Sequence, residues 1–209
     1  MANADAPRGF TPVRRLNGRT DGGLTYAYIP SSNATATFIG DVVIHNSDGG
    51  AAALTINGMD FEGVPQVVRA TTGSTGQDIF GVVVGFLPDP TSLGTVHRAA
   101  STNRVALVAL ATDWVFECQE DTITSALGAA NLGSNIAFTT TAGSTTTGRS
   151  GMELDSNTAA NTSTLPLRLV SLVKRPNNAL NTAGADADQA KWEVIFNTSI
   201  WAPNITALS

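Results

Sequence analysis

The run Gly143-Ser-Thr-Thr-Thr-Gly148-Arg149-Ser150 has the spacing of a phosphate-binding loop, with Arg149 standing where a lysine would reach the phosphates. A loop of that kind must open a helix, so that amides and the helix dipole converge on the anion, yet Gly151-Met-Glu-Leu-Asp has no helical apolar period. In a chain of 27 Thr and 20 Gly, chance accounts for the match. His45 and His97 lie far apart with no second ligand at metal spacing, and Cys118 is the only cysteine, a poor supply for zinc. Asp41 and His45 would share one face of a strand about 13 Å apart, too far for a direct acid/base pair. Glu117, Glu120 and Asp121 form the densest acidic group, with Asp186 and Asp188 the next. Neither group has the aromatic platforms of a glycosidase or the spacing of a calcium loop, so a solvated strand end and a polar loop are expected. There is no G-x-S-x-G elbow, and Cys118 shares a strand face with Trp114 and Phe116, which makes it a small core residue. These residues predict no catalytic centre, no cofactor and no metal.

The elements that would position side chains are strands. LTYAYI (24–29), TATFIGDVVIH (35–45) and AALTI (52–56) each end on Pro, Gly or Asn, and Asn57-Gly58 is a strong hairpin signal. VPQVVRA (64–70) carries Pro65 near its start, as a strand beginning or a sheet edge allows. IFGVVVGFL (79–87), apolar on both faces, and RVALVALATDWVFECQ (104–119) are the main core candidates, with Gly81 and Gly85 marking close approach or bending in a barrel. TITSALGAAN (122–131) predicts a short helix capped by Asp121 or Thr122 and ended by Gly128. Residues 139–164 read as loop, with GMELD a short strand at most. LPLRLVSLV and KWEVIFNTSIW alternate with period two, placing Leu165, Leu167, Leu169, Trp192, Val194 and Phe196 in a core, and a polar connection joins them as a strand pair.

Composition agrees with an all-β fold, a jelly-roll-like sandwich or barrel with at most one or two short helices. At 209 residues one domain suffices, residues 23–209, preceded by an extended basic arm, residues 1–22, that holds Pro7, Pro12, Gly9 and Gly18. Charged residues make up 14% of the chain against roughly 25% in ordinary soluble domains. Lys174 and Lys191 are the only lysines, so the surface has few mobile charges that resist burial at a contact. Arg8, Arg14, Arg15 and Arg19 against Asp5 leave residues 1–20 at +3, so the rest carries −8 of the net −5. A basic arm on an acidic body docks on an acidic neighbour or another copy, and the body repels nucleic acid. The opening residues lack the apolar core of a signal peptide and no stretch reaches the length of a membrane span, so synthesis in a cytoplasm and no membrane partner are expected.

ANADAPRGFTPVRRLNG at 2–18, FIGDVV at 38–43, TLPLRLVSLVKRPNN at 164–178 and KWEVIFN at 191–197 together resemble small structural proteins of tailed bacteriophages, and more narrowly their head decoration, or cement, proteins. The resemblance implies a β-rich body that binds the capsid exterior as a small oligomer, homotrimer favoured and homodimer the other state, and ties neighbouring major capsid proteins together. It brings no catalytic residues. Arg8, Phe10, Arg14 and Arg15 of the arm, with Val13 as a further apolar anchor, and Trp201 near the other end are the expected partner contacts. Other virion parts, such as a head fibre or tail component, and a β-sandwich carbohydrate-binding module are the alternatives.

Overall fold

The structure is a computed structural model and describes residues 3–16, 23–50, 54–56, 58–73, 79–90, 92–121, 126–180 and 189–201, the side chains of 47–50 excepted. Its strands, in chain order, are β1 (Thr11–Arg15), β2 (Thr25–Ile29), β3 (Val42–Gly50), β4 (Thr55–Ile56), β5 (Met59–Asp60), β6 (Pro65–Arg69), β7 (Ile79–Phe86), β8 (Arg104–Leu110), β9 (Trp114–Gln119), β10 (Asn135–Phe138), β11 (Leu154–Ala160), β12 (Leu167–Leu172) and β13 (Lys191–Phe196). The only helical element among the described residues is a 3-10 turn at Ala129–Asn131. The all-β, jelly-roll-like class expected from the sequence holds.

Two layers form. β2, β6, β3, β7 and β8 close a five-stranded barrel in that order, and β1-β9-β13-β12-β10-β11 form a six-stranded antiparallel sheet. The doubly apolar β7 has a direct explanation in this arrangement. Phe80 and Val83 fill the barrel with Ile29, Val67 and Val108, while Ile79 and Val82 face the sheet; a one-residue slip in the pairing with β3, where Val43 faces Gly81 but Ile44 faces Ile79, offsets the two-residue alternation of the strand between them. Val42 and Val43 of β3, and Val108 and Ala109 of β8, divide in the same way. The shared wall is dry on both sides, which forces a continuous apolar run instead of an alternating one.

Close packing of that wall selects Gly81. A β-carbon there would strike the Ala109 carbonyl oxygen across the β7–β8 pair. β8 and β9, expected as one core stretch, are two strands of different layers: the turn at 111–113 takes the chain out of the barrel and into the sheet. The 35–45 stretch likewise breaks at Gly40, whose φ of 97 suits glycine, and β3 starts after it. The hairpin expected at Asn57-Gly58 is present as the β4–β5 pair, Ile56 opposite Met59, although Asn57 itself lies outside the described residues.

In the sheet, β12 and β13 pair antiparallel with Leu169 opposite Val194, as their alternation predicts. Leu167, Leu169, Trp192 and Val194 are buried against the barrel, Leu165 is buried beside them, and Phe196 packs at the margin. Two expectations fail. The helix at 122–131 is replaced by extended chain and the 3-10 turn over the described residues 126–131, the rest lying outside the description. Its Ala- and Gly-rich end offers one apolar side chain, Leu127, to the core, which is too little to hold an amphipathic helix. The supposed loop 139–164 contains the seven-residue strand β11 on the far edge of the sheet.

The first part of that connection is ordered by a buried charge cluster. Arg69 Nε donates to Asp41 Oδ2 at 2.8 Å, and its Nη2 donates to the carbonyls of Thr140 and Thr141 at 3.0 and 2.6 Å. Ser150 Oγ donates to Asp41 Oδ1 at 2.6 Å, and the Phe38 amide donates to Oδ2. Burial pushes the Asp41 carboxyl above its ordinary value, with Arg69 and the hydrogen bonds opposing. The failed phosphate-loop match is part of this clamp: Ser144–Gly148 is a tight turn, and Ser150 leads into extended chain and β11.

Candidate interaction surface

The amino-terminal segment is sewn to the body along its described length. Asn3 exchanges hydrogen bonds with the backbone of Ala179, and the Ala6 amide donates to Gln119 Oε1 at 3.3 Å. Gln119 Nε2 reaches Asp5 at 3.2 Å and Glu153 at 3.3 Å. The Phe10 amide donates to Gly40 O at 2.9 Å, β1 pairs with β9, and the Leu16 amide donates to Asp113 O. β1 is an edge strand, and Pro12 with a register break between Pro12 and Arg14 guards its open side.

The separate arm expected over residues 1–22 is therefore corrected for residues 3–16, which belong to the body; residues 17–22 lie outside the description. Phe10 is 1% exposed, packed edge-on to Phe138 at 5.6 Å and against Phe196 at 5.7 Å, so it is a core residue and no partner contact. An aromatic residue among prolines and glycines gave no periodicity to reveal this. Arg14 Nη2 pairs with Glu193 at 3.0 Å, and Ser171 holds the same oxygen. Arg15 lies over the Trp114 ring at 5.6 Å, with Asp113 at 3.9 Å. Both arginines are engaged within the chain, while Val13 stays partly exposed.

Arg8 is exposed, and so is Trp201 at 60%. They stand apart. The Ile200 amide donates to Ile79 O, the Ala111 amide to Phe80 O and the Leu16 amide to Asp113 O, which places Trp201 at the Arg15 end of the sheet, away from Arg8. Arg8 instead meets residues that sequence separation hid. With Thr11, Glu117, Gln119, Arg175 and Lys191 it lines a cavity of about 220 Å³, and with Pro7, Thr147 and Arg149 an adjoining one of about 370 Å³. Arg175 grips Glu117 with both nitrogens, at 2.8 and 2.6 Å.

The acidic group at 117–121 is also corrected from a solvated strand end. Glu120 is fully buried and accepts the amides of Leu127 at 2.9 Å and Ala190 at 3.1 Å, holding two connections against β9. Asp121 accepts both the amide and the hydroxyl of Ser156, which fixes β11. Glu153, pressed by burial and by Asp5 and Asp121, is raised to about 7. Asp186 and Asp188 lie outside the described residues. Among the described residues no group of three or more His, Cys, Asp or Glu is placed to hold a metal, and no helix is long and apolar enough to cross a membrane.

A further buried cation escaped sequence reading. Arg98 is 0% exposed and donates to four carbonyls, those of Pro30, Asn33, Thr35 and Thr102, at 2.6–2.8 Å. Burial lowers its guanidinium from the ordinary value, with Tyr28 opposing. His97 beside it stacks flat on Phe38 at 5.0 Å. Cys118 is buried, and burial drives its thiol well above its ordinary value.

No protein-family model, no curated protein and no solved structure matches this chain. The buried ionic groups Asp41, Arg69, Arg98, Glu120 and Asp121 hold connections in place, and the outward groups collect around Arg8 and at Trp201.

Proposed function

We infer that this chain is a capsid decoration protein: a rigid β body that binds the outer surface of a phage head and stabilises the lattice of the major capsid protein, as a small homo-oligomer with the homotrimer favoured. The observation that supports this most is the use of buried charge. Asp41 and Arg69 tie the 139–150 connection to the barrel, Arg98 gathers the 30–35 and 99–102 turns, and Glu120 and Asp121 hold the sheet's connections. Charged groups in such positions fix the shape of loops, and shape is what a lattice-binding protein contributes.

Many weak contacts made by a rigid oligomer add through multivalency, so no single contact need be strong. Arg8 and Trp201, at separate places on the surface, make the contacts; Phe10 is buried in the core, and Arg14 and Arg15 serve mainly to hold β1. Co-sedimentation of the purified protein with phage heads prepared without it tests the proposal. Saturable binding with a fixed number of copies per head supports it, and protein left wholly in the supernatant contradicts it.

A further inference from the structure

Arg8 stands where the two cavities meet, on a closely packed stretch of backbone. Phe10 is locked in the core two residues on, and Gly9 adopts a φ of +67 with Gly40 and Ser150 against it. A β-carbon on Gly40 would in turn strike the Arg8 carbonyl oxygen. The Arg8 side chain is thus displayed from a fixed point, which lowers the entropy lost when it is engaged. Lys191 and Arg175 line the groove on one side of it and Arg149 on the other. Arg175 is neutralised by Glu117, whereas the side chains of Arg8, Lys191 and Arg149 have no ion pair among the described residues. Among the described residues three cations without an ion pair line one groove, on a chain of net charge −5, and favour an anionic occupant there.

We propose that this groove binds an extended acidic segment of a partner protein, whose side-chain carboxylates meet Arg8, Lys191 and Arg149. The proposal rests on the partner-binding reading above and names the chemistry of one contact. Glu117 lines the groove, and the carboxyl groups of Asp5 and Glu153 stand beside it, joined through Gln119. They repel a nucleic-acid backbone charged at every residue, but leave room for carboxylates spaced by neutral residues. Strand addition to β1 is not the mode, because Pro12 has no N–H and the register breaks beside it.

Fluorescence anisotropy with a short, end-capped peptide alternating glutamate and serine tests the groove without phage heads. Saturable binding that weakens between about 50 and about 300 mM salt is expected. Arg8→Glu, and the pair Lys191→Ala with Arg149→Ala, should each weaken it at least about fivefold, while Lys174→Ala, a lysine outside the groove lining, changes it less than about twofold. Unchanged melting temperatures show that these substitutions leave the fold intact. No saturable binding, no effect of the groove substitutions, or an equal loss with Lys174→Ala overturns the proposal. Citrate binding as tightly as the peptide overturns the protein segment as occupant, and tighter binding of single-stranded DNA overturns the choice of peptide. Peptide binding without head binding retains the groove and removes the capsid reading; head binding by wild type and Arg8→Glu alike does the reverse.

Discussion

Phe10 meets Phe138 edge to face, with ring centroids 5.6 Å apart and planes at 83°, and this contact makes the amino-terminal segment a part of the core. The same ring touches Phe196, which itself stands edge-on to Phe116 at 5.2 Å. One residue from the start of the chain thereby joins strands from its middle and end. Phe10→Ala should destabilise the protein by about 3–5 kcal/mol, the range for truncating a buried phenylalanine. Denaturant unfolding checks this, and a loss below about 1 kcal/mol would show that the segment is a detachable arm after all.

Arg98 offers a sharper test of how the turns are held. Its guanidinium satisfies four carbonyls and has no ion pair among the described residues, so Arg98→Met leaves those oxygens short of donors in a buried site. The expected cost is about 3 kcal/mol or more, with Arg98→Lys recovering only part because an ammonium cannot reproduce the planar fork. Thermal unfolding of the two variants should rank them wild type, Lys, Met; a Met variant as stable as wild type would contradict the clamp.

Glu153 gives a pH dependence with a definite sign. Burial first, then Asp5 and Asp121, raise its carboxyl from 4.5 to about 7, while the hydrogen bond from Gln119 opposes. Between those values the folded protein keeps a proton that the unfolded chain has released, so this group's contribution is complete below 4.5 and is lost as pH rises to about 7. Solvent screening of a half-buried group reduces the effect to about 1 kcal/mol. Glu153→Gln should flatten the stability profile over that window, and a slope identical to wild type would exclude Glu153 as its source.

Cys118 should be silent to thiol reagents in the native state. It is 1% exposed, and burial holds the thiol in its protonated, unreactive form. Labelling by a chromogenic disulfide should proceed only at the rate of unfolding and become immediate in denaturant. Rapid stoichiometric labelling of folded protein would mean that β9 opens readily.

The main core strands were legible in the sequence: the alternation of β12 and β13 marked their buried residues, and the doubly apolar run of β7 marked a core strand, which the structure places as a wall between two cores. What the sequence hid is long-range by nature. Phe10 sits among prolines and glycines with no period to show its burial, and the partners of Arg98 and Glu120 are backbone groups that no side-chain motif reports. Glu120 and Asp121 looked solvated because neighbouring carboxylates usually are, yet the amides of Leu127, Ala190 and Ser156 make burial tolerable. The Arg8 groove escaped for the same reason, since Arg149, Arg175 and Lys191 reach it only through the fold.

Electron microscopy of phage heads that lack this protein, imaged before and after adding it in purified form, tests the central proposal most directly. The expected result is new density on the outer surface at symmetry-related positions of the lattice, absent from the tail and saturating with added protein. Bare heads at saturating protein, or density confined to the tail, would contradict it.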